Sequence, residues 1–110
     1  MFAKTDGVLQ GTIELLVLKR LSWGPMHGYG IASWIETATD DVLCVEEGSL
    51  YPALQRLRAK GLVSAAWRQT PNKRRARYYT LTAAGERELG AEVASYQRMQ
   101  LAIQRVLRAT

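Results

Sequence analysis

The sequence predicts a mainly α fold with a small β-hairpin wing, a winged helix-turn-helix followed by a long C-terminal helix. Three observations point to it. Glycine and proline punctuation divides residues 1–82 into helix, helix, short strand, helix and hairpin. The excess positive charge sits in one stretch across the third helix and the hairpin. The remaining residues, 83–110, carry an apolar heptad pattern.

The first helix is expected from about Thr12 to Trp23, with Gly11-Thr12 as N-cap, Glu14 in the first turn, Lys19 and Arg20 in the last, and Gly24-Pro25 ending it. Ile13, Leu15, Leu16, Val17, Leu18 and Leu21 leave it little polar face, which marks it as central scaffold. A second helix should run from about His27 to Thr37, with Ile31, Trp34 and Ile35 at helical spacing. Val42-Leu43-Cys44-Val45 is too short for a helix and reads as a brief strand. Gly48-Ser49 caps a third helix, Pro52 lies where its missing N–H does no harm, and Gly61 stops it. On that helix Leu50, Ala53, Leu54 and Leu57 share the buried face, while Tyr51, Pro52, Gln55, Arg56 and Ala59 point away.

Period-two alternation from Leu62 to Arg68 reads as a strand, with Val63, Ala65 and Trp67 on one side. Turn chemistry at Gln69-Thr70-Pro71-Asn72-Lys73 leads into a second strand, Arg77-Tyr78-Tyr79-Thr80-Leu81, and puts Lys73, Arg74 and Arg75 at the hairpin tip. Thr82 caps a final helix reaching Leu107 or Arg108. Along it Leu89, Val93, Tyr96, Gln100, Ile103 and Leu107 alternate steps of four and three, a coiled-coil seam that implies a partner helix and so a homodimer.

The chain has 110 residues, room for one domain with an appended element, and 47% hydrophobic with 23% charged residues is ordinary for a globular fold. No apolar run exceeds four residues, so neither a membrane span nor a signal peptide is expected, and the protein is placed in the cytoplasm with no membrane partner. Cys44 and His27 are the sole cysteine and histidine, which rules out an internal disulfide and a Cys/His zinc site. No metal and no cofactor is expected.

Charge placement speaks to the partner. Between Gly48 and Gly85 lie eight cations, Arg56, Arg58, Lys60, Arg68, Lys73, Arg74, Arg75 and Arg77, and no acid, whereas the rest of the chain holds seven cations and ten acids. A surface kept charged only for solubility usually mixes signs, so the natural partner is a polyanion. Gln55 and Arg56 are the side chains suited to paired hydrogen bonds with base edges, and the wing cations are suited to phosphates.

Four segments resemble the PadR family of bacterial transcriptional regulators, and its short, acidobacterial-type subgroup in particular. They are Leu9-Gln10-Gly11-Thr12-Ile13-Glu14-Leu15-Leu16-Val17-Leu18, Gly24-Pro25-Met26-His27-Gly28-Tyr29-Gly30-Ile31, Gly48-Ser49-Leu50-Tyr51-Pro52-Ala53-Leu54-Gln55-Arg56-Leu57 and Tyr79-Thr80-Leu81-Thr82-Ala83-Ala84-Gly85. The resemblance covers nearly the whole chain in order. It implies a dimeric regulator, usually a repressor, binding double-stranded DNA at an inverted repeat, with the third helix in the major groove and the wing on the backbone or minor groove. By that resemblance Ser49, Tyr51, Pro52, Gln55 and Arg56 touch DNA, with Lys73, Arg74, Arg75 and Arg77 as the wing contacts. Residues 1–82 would be the DNA-binding domain and 83–110 the dimerisation helix. Many members sense small apolar or phenolic compounds, so a small apolar effector of unknown identity is a candidate partner.

Other readings are weaker. There is no Ser/His/Asp arrangement and no phosphate-cradling glycine loop, so catalysis is not expected. A winged-helix module for protein or RNA would present an apolar or acidic third-helix face. His27 reads as a helix-start residue beside Gly28, Cys44 as core, and Trp23, Trp34 and Trp67 as packing residues, one of which could line a ligand pocket at the dimer interface. Tyr29 stays open between phosphate contact and core packing.

Overall fold

The structure is a computed structural model that describes residues 7–110, with side chains described from Thr12 onward. Seven elements follow one another: α1 (Gly7–Leu21), β1 (Met26–His27), α2 (Gly28–Ala38), α3 (Glu47–Ala59), β2 (Val63–Gln69), β3 (Arg75–Leu81) and α4 (Ala83–Arg108). The strands form one antiparallel sheet in the order β1-β3-β2.

The core is aliphatic and lies between α1, α2, α3 and the sheet. Ile13, Val17, Leu18 and Leu21 of α1 meet Ile31 and Ile35 of α2, Leu50, Ala53, Leu54 and Leu57 of α3, and Val63 and Tyr79 of the sheet. The expected buried face of the third helix is thus the buried face of α3. His27 starts α2 through its ring, whose Nδ1 accepts a hydrogen bond from the Gly30 amide at 3.0 Å. Thr82 caps α4 in the same way, its hydroxyl oxygen accepting from the Gly85 amide at 3.0 Å while the hydroxyl donates to the Gly61 carbonyl at 2.8 Å.

Several boundaries differ from the sequence reading. α1 starts at Gly7, five residues before the expected cap, so Gly11 and Thr12 are helical. One interior glycine costs about 1 kcal/mol against alanine, which a long packed helix tolerates. α3 begins at Glu47, with Glu46 in the cap position and Ser49 inside the first turn. The expected strand over 42–45 shrinks to a single bridged residue, Cys44. Asp40 and Asp41 both adopt positive φ there, 50° and 64°, and turn the chain so that Val45 drops into the core. Met26–His27 pairs with β3 instead and supplies the third strand.

Two tryptophans also depart from expectation. Trp23 is 60% exposed and meets Trp34 edge-on with ring centres 5.0 Å apart, and Trp67 is 58% exposed. Neither is a core residue.

α4 has two parts. Its first turns rest on α1 and β3, with Gly85 buried and Leu89 and Val93 half-buried. From Ala94 onward every residue is exposed, including Tyr96, Gln100, Ile103 and Leu107 of the seam and Met99 and Val106 beside it. The helix therefore carries the molecule to 57 Å in its longest dimension instead of folding back on its own domain. Among the described residues no helix is long and apolar enough to cross a membrane.

Candidate nucleic-acid interface

α3 and the β2–β3 hairpin meet along a cleft of about 440 Å³, to which α3 contributes Tyr51 and Gln55, the hairpin Trp67, Arg75 and Arg77, and the start of α2 Tyr29. Each side chain is there for a local reason. Pro52 fixes the first turns of α3 without removing a needed hydrogen bond, and the aliphatic face anchors the helix so that Tyr51, Pro52 and Gln55 are turned outward and exposed. The Tyr51 ring leans over the start of α2, where a side chain in place of Gly28 would sit 3.0 Å from its hydroxyl. Partial burial, then the nearby Glu47 carboxylate and Tyr79, raise the Tyr51 pKa above the ordinary phenol value. Tyr51 therefore stays protonated and able to donate a hydrogen bond at any physiological pH.

The hairpin register pairs Trp67 with Arg77 and Gln69 with Arg75, which sets these four on the cleft side of the ribbon. Arg75 lies 5.5 Å and Arg77 6.0 Å from the Trp67 ring centre. On the other side Arg68 lies 4.5 Å from the Tyr78 ring. Stacking on an aromatic face orders a guanidinium while leaving its in-plane N–H groups directed outward. The Arg77 Nε is buried with no hydrogen-bond acceptor. At the tip, the Thr70 amide donates to the Arg74 carbonyl, the Lys73 amide to the Thr70 carbonyl, and the Arg74 amide to the Thr70 hydroxyl. Lys73 takes φ 63°, and Lys73 and Arg74 point into solvent.

Arg56 stands apart from the other expected contacts. Its Nε donates to Glu14 of α1 at 2.7 Å, and Lys60 donates to the other oxygen of the same carboxylate at 3.3 Å. Burial alone would raise the Glu14 pKa, but the hydrogen bonds and charges of Arg56 and Lys60 outweigh it and hold the carboxyl below its usual range. Arg56 was expected to face outward with Gln55. It flanks that face, half-buried and drawn toward α1, because a tertiary ion pair decides its rotamer.

The structure thus brings Tyr51, Gln55, Arg75 and Arg77 together, leaves Ser49 half-buried in the first turn of α3, and sets Pro52 beside the cleft and Lys73 and Arg74 beyond it. It adds Trp67 and Tyr29. Tyr29 is 78% exposed, which removes the core-packing alternative. Alternation puts Trp67 on the same strand face as Val63 and Ala65, but it says only which face a residue shares and not how far the core extends along it. Acids collect elsewhere: Glu36, Glu46 and Glu47 rim a second cavity of about 530 Å³ between α2 and α3.

Residues 17–91 match the Transcriptional regulator PadR-like family. The chain is 43% identical over 86 residues to an uncharacterised 37.1 kDa protein of transposon TN4556 from Streptomyces fradiae, covering 78% of this chain and 23% of that one. It therefore spans about a quarter of that relative's length. A transcriptional regulator from Clostridium thermocellum superposes with a TM-score of 0.83 at 25% identity, over 91% of this chain and 97% of the other. A PadR family transcriptional regulator from Eggerthella lenta superposes with a TM-score of 0.76 at 27% identity, over 94% and 88% of the two chains.

Proposed function

The chain belongs to the PadR-like family of transcriptional regulators, and on that premise we propose that it is a repressor that binds double-stranded DNA sequence-specifically, as a homodimer on an inverted-repeat operator. The observation that carries this is the cleft in which Tyr51 and Gln55 of α3 meet Arg75 and Arg77 of the wing, with no acid among its lining residues.

In this reading residues 1–82 bind DNA and 83–110 dimerise. α3 enters the major groove with its N-terminal half leading, and Gln55 makes paired hydrogen bonds to an adenine edge. Tyr51 donates its hydroxyl to a flanking phosphate, Ser49 and Pro52 approach the backbone, and Arg56 supports α3 from its α1 side. Lys73, Arg74, Arg75 and Arg77 follow the sugar-phosphate chain from the wing. The exposed seam of α4 pairs with a second copy and brings two such surfaces to adjacent major-groove faces. Occupying a promoter then excludes the transcription machinery.

Selection from a random duplex pool tests the proposal, alongside mobility shifts on the enriched duplex and on single-stranded RNA. The expected result is enrichment of an inverted repeat and much weaker binding to RNA. Equal affinity for the enriched duplex, a scrambled duplex and RNA would overturn it.

A further inference from the structure

Glu14 lies on the scaffold helix α1, yet its carboxylate holds two cations of α3, Arg56 and Lys60. These residues are one helical turn apart and stand together on the flank of α3 that faces α1. We infer that Glu14 is a specificity-determining residue for DNA, withholding Arg56 and Lys60 from phosphates and so limiting attraction to random sequence. The inference rests on the DNA-binding reading and adds a role that reading does not contain.

The geometry gives the reason. The Glu14 side chain is only 22% exposed, so its charge is partly shielded from water and its hold on both cations is stronger than that of a fully solvated pair. Nε is the atom through which Arg56 is engaged, and with it occupied the side chain is directed toward α1, away from the cleft. Lys60, at the C-terminal cap of α3, is otherwise long and flexible enough to reach a phosphate beside the groove. Glu92 of α4 adds negative charge nearby, its carboxylate lying within electrostatic reach of both Glu14 and Lys60. The α1–α4 side of α3 is thus a carboxylate-lined flank that competes with DNA for these two cations. The sequence-independent part of DNA affinity grows with each phosphate neutralised, whereas base readout by Gln55 does not depend on Arg56 or Lys60. Removing Glu14's charge should therefore strengthen random binding more than operator binding.

The test is a salt series on an operator and a scrambled duplex with the full chain, Glu14→Gln and Lys60→Gln. Releasing one or two cations per subunit should steepen the log-affinity against log-salt slope of Glu14→Gln by roughly 2 to 4 units per dimer and tighten scrambled-duplex binding about tenfold or more, so that discrimination falls. A loss of structure cannot produce tighter binding, which separates this role from a merely structural one. Lys60→Gln probes the same pair without disturbing α1, and because the lysine is already committed its loss should change the wild-type slope by less than about half a unit. If wild type binds with a steep slope while Glu14→Gln leaves slope and scrambled affinity unchanged or lower, or Lys60→Gln removes a full unit or more per subunit, the inference is overturned alone. If wild type binds neither duplex, the DNA-binding reading falls and the inference falls with it.

Discussion

Gly85 of α4 is seated against the Leu62 carbonyl at the start of the wing: a Cβ on Gly85 would overlap that oxygen and Cδ1 of Leu81. The same Leu62 carbonyl accepts the Thr82 amide at 3.1 Å, so the helix and the hairpin are locked where one begins and the other departs from α3. Gly85→Ala should lower stability by about 1–3 kcal/mol despite alanine's better helix propensity, because the obstructing atom is backbone. Gly90, with nothing near its missing Cβ, gives the opposite sign, and Gly90→Ala should raise stability by about 0.5–1 kcal/mol. Urea unfolding of both variants at one protein concentration checks this, and a shift of the same sign in both would contradict it.

Glu88 and Glu92 stand one turn apart on α4, where their carboxyl groups act on one another. Burial first, then the hydrogen bond that a protonated carboxyl can make to Glu88 and the charges of Glu88 and Glu14, raise the Glu92 pKa, with Lys60 opposing. A raised folded value means the folded chain binds more protons between the unfolded and folded values, so this contribution to stability declines as pH rises through that window. Glu14 has the opposite sign: its contribution is present above the ordinary carboxylate range and is lost as pH falls through its depressed folded value. Glu92→Gln should therefore stabilise the protein by about 0.2–0.5 kcal/mol at neutral pH, the usual size of a like-charge pair at this spacing. The gain should vanish in acid. A gain that grows on acidification would contradict the assignment.

Four residues of the heptad seam, Tyr96, Gln100, Ile103 and Leu107, are exposed. A chain ending after Glu92 should sediment as a monomer where the full chain is a dimer, and should lose preference for half-sites about 34–36 Å apart. An unchanged dimer after truncation would place the interface elsewhere.

Much of this architecture was legible in the sequence where a strong local signal and the tertiary environment agree. Thr82 capping a long helix, the aliphatic face of α3 and the presence of the hairpin are such cases, although the strands run further toward the tip than expected, so that Arg75, expected in the turn, pairs with Gln69 as the first residue of β3. The losses fall where an environment distant in sequence decides. Met26–His27 has no period to detect and is a strand only because β3 lies beside it. Val42–Val45 has strand composition but follows two aspartates at positive φ. Arg56 belongs by angle near the outward face, and a carboxylate 42 residues earlier redirects it. Trp67 keeps its alternation beyond the edge of the core and becomes a surface residue that two arginines share.

Reading and gripping should separate by mutation. Gln55→Ala should relax sequence choice by about 1–3 kcal/mol at one position per half-site. Arg74→Ala/Arg75→Ala should weaken operator and scrambled duplexes by similar factors and make the salt slope shallower by about one unit per lost phosphate contact. If the wing variant loses discrimination while Gln55→Ala keeps it, the two roles are reversed, and the wing reads a narrow minor groove by its shape.

Whether the basic stretch grips DNA is decided by the salt dependence of wild-type binding to duplex DNA, which counts phosphates without needing the operator sequence. With four or five contacts per subunit, a dimer should give a slope of log affinity against log salt of about −7 to −9. A slope shallower than about −3 would mean that the basic stretch from α3 to the wing is not the DNA surface.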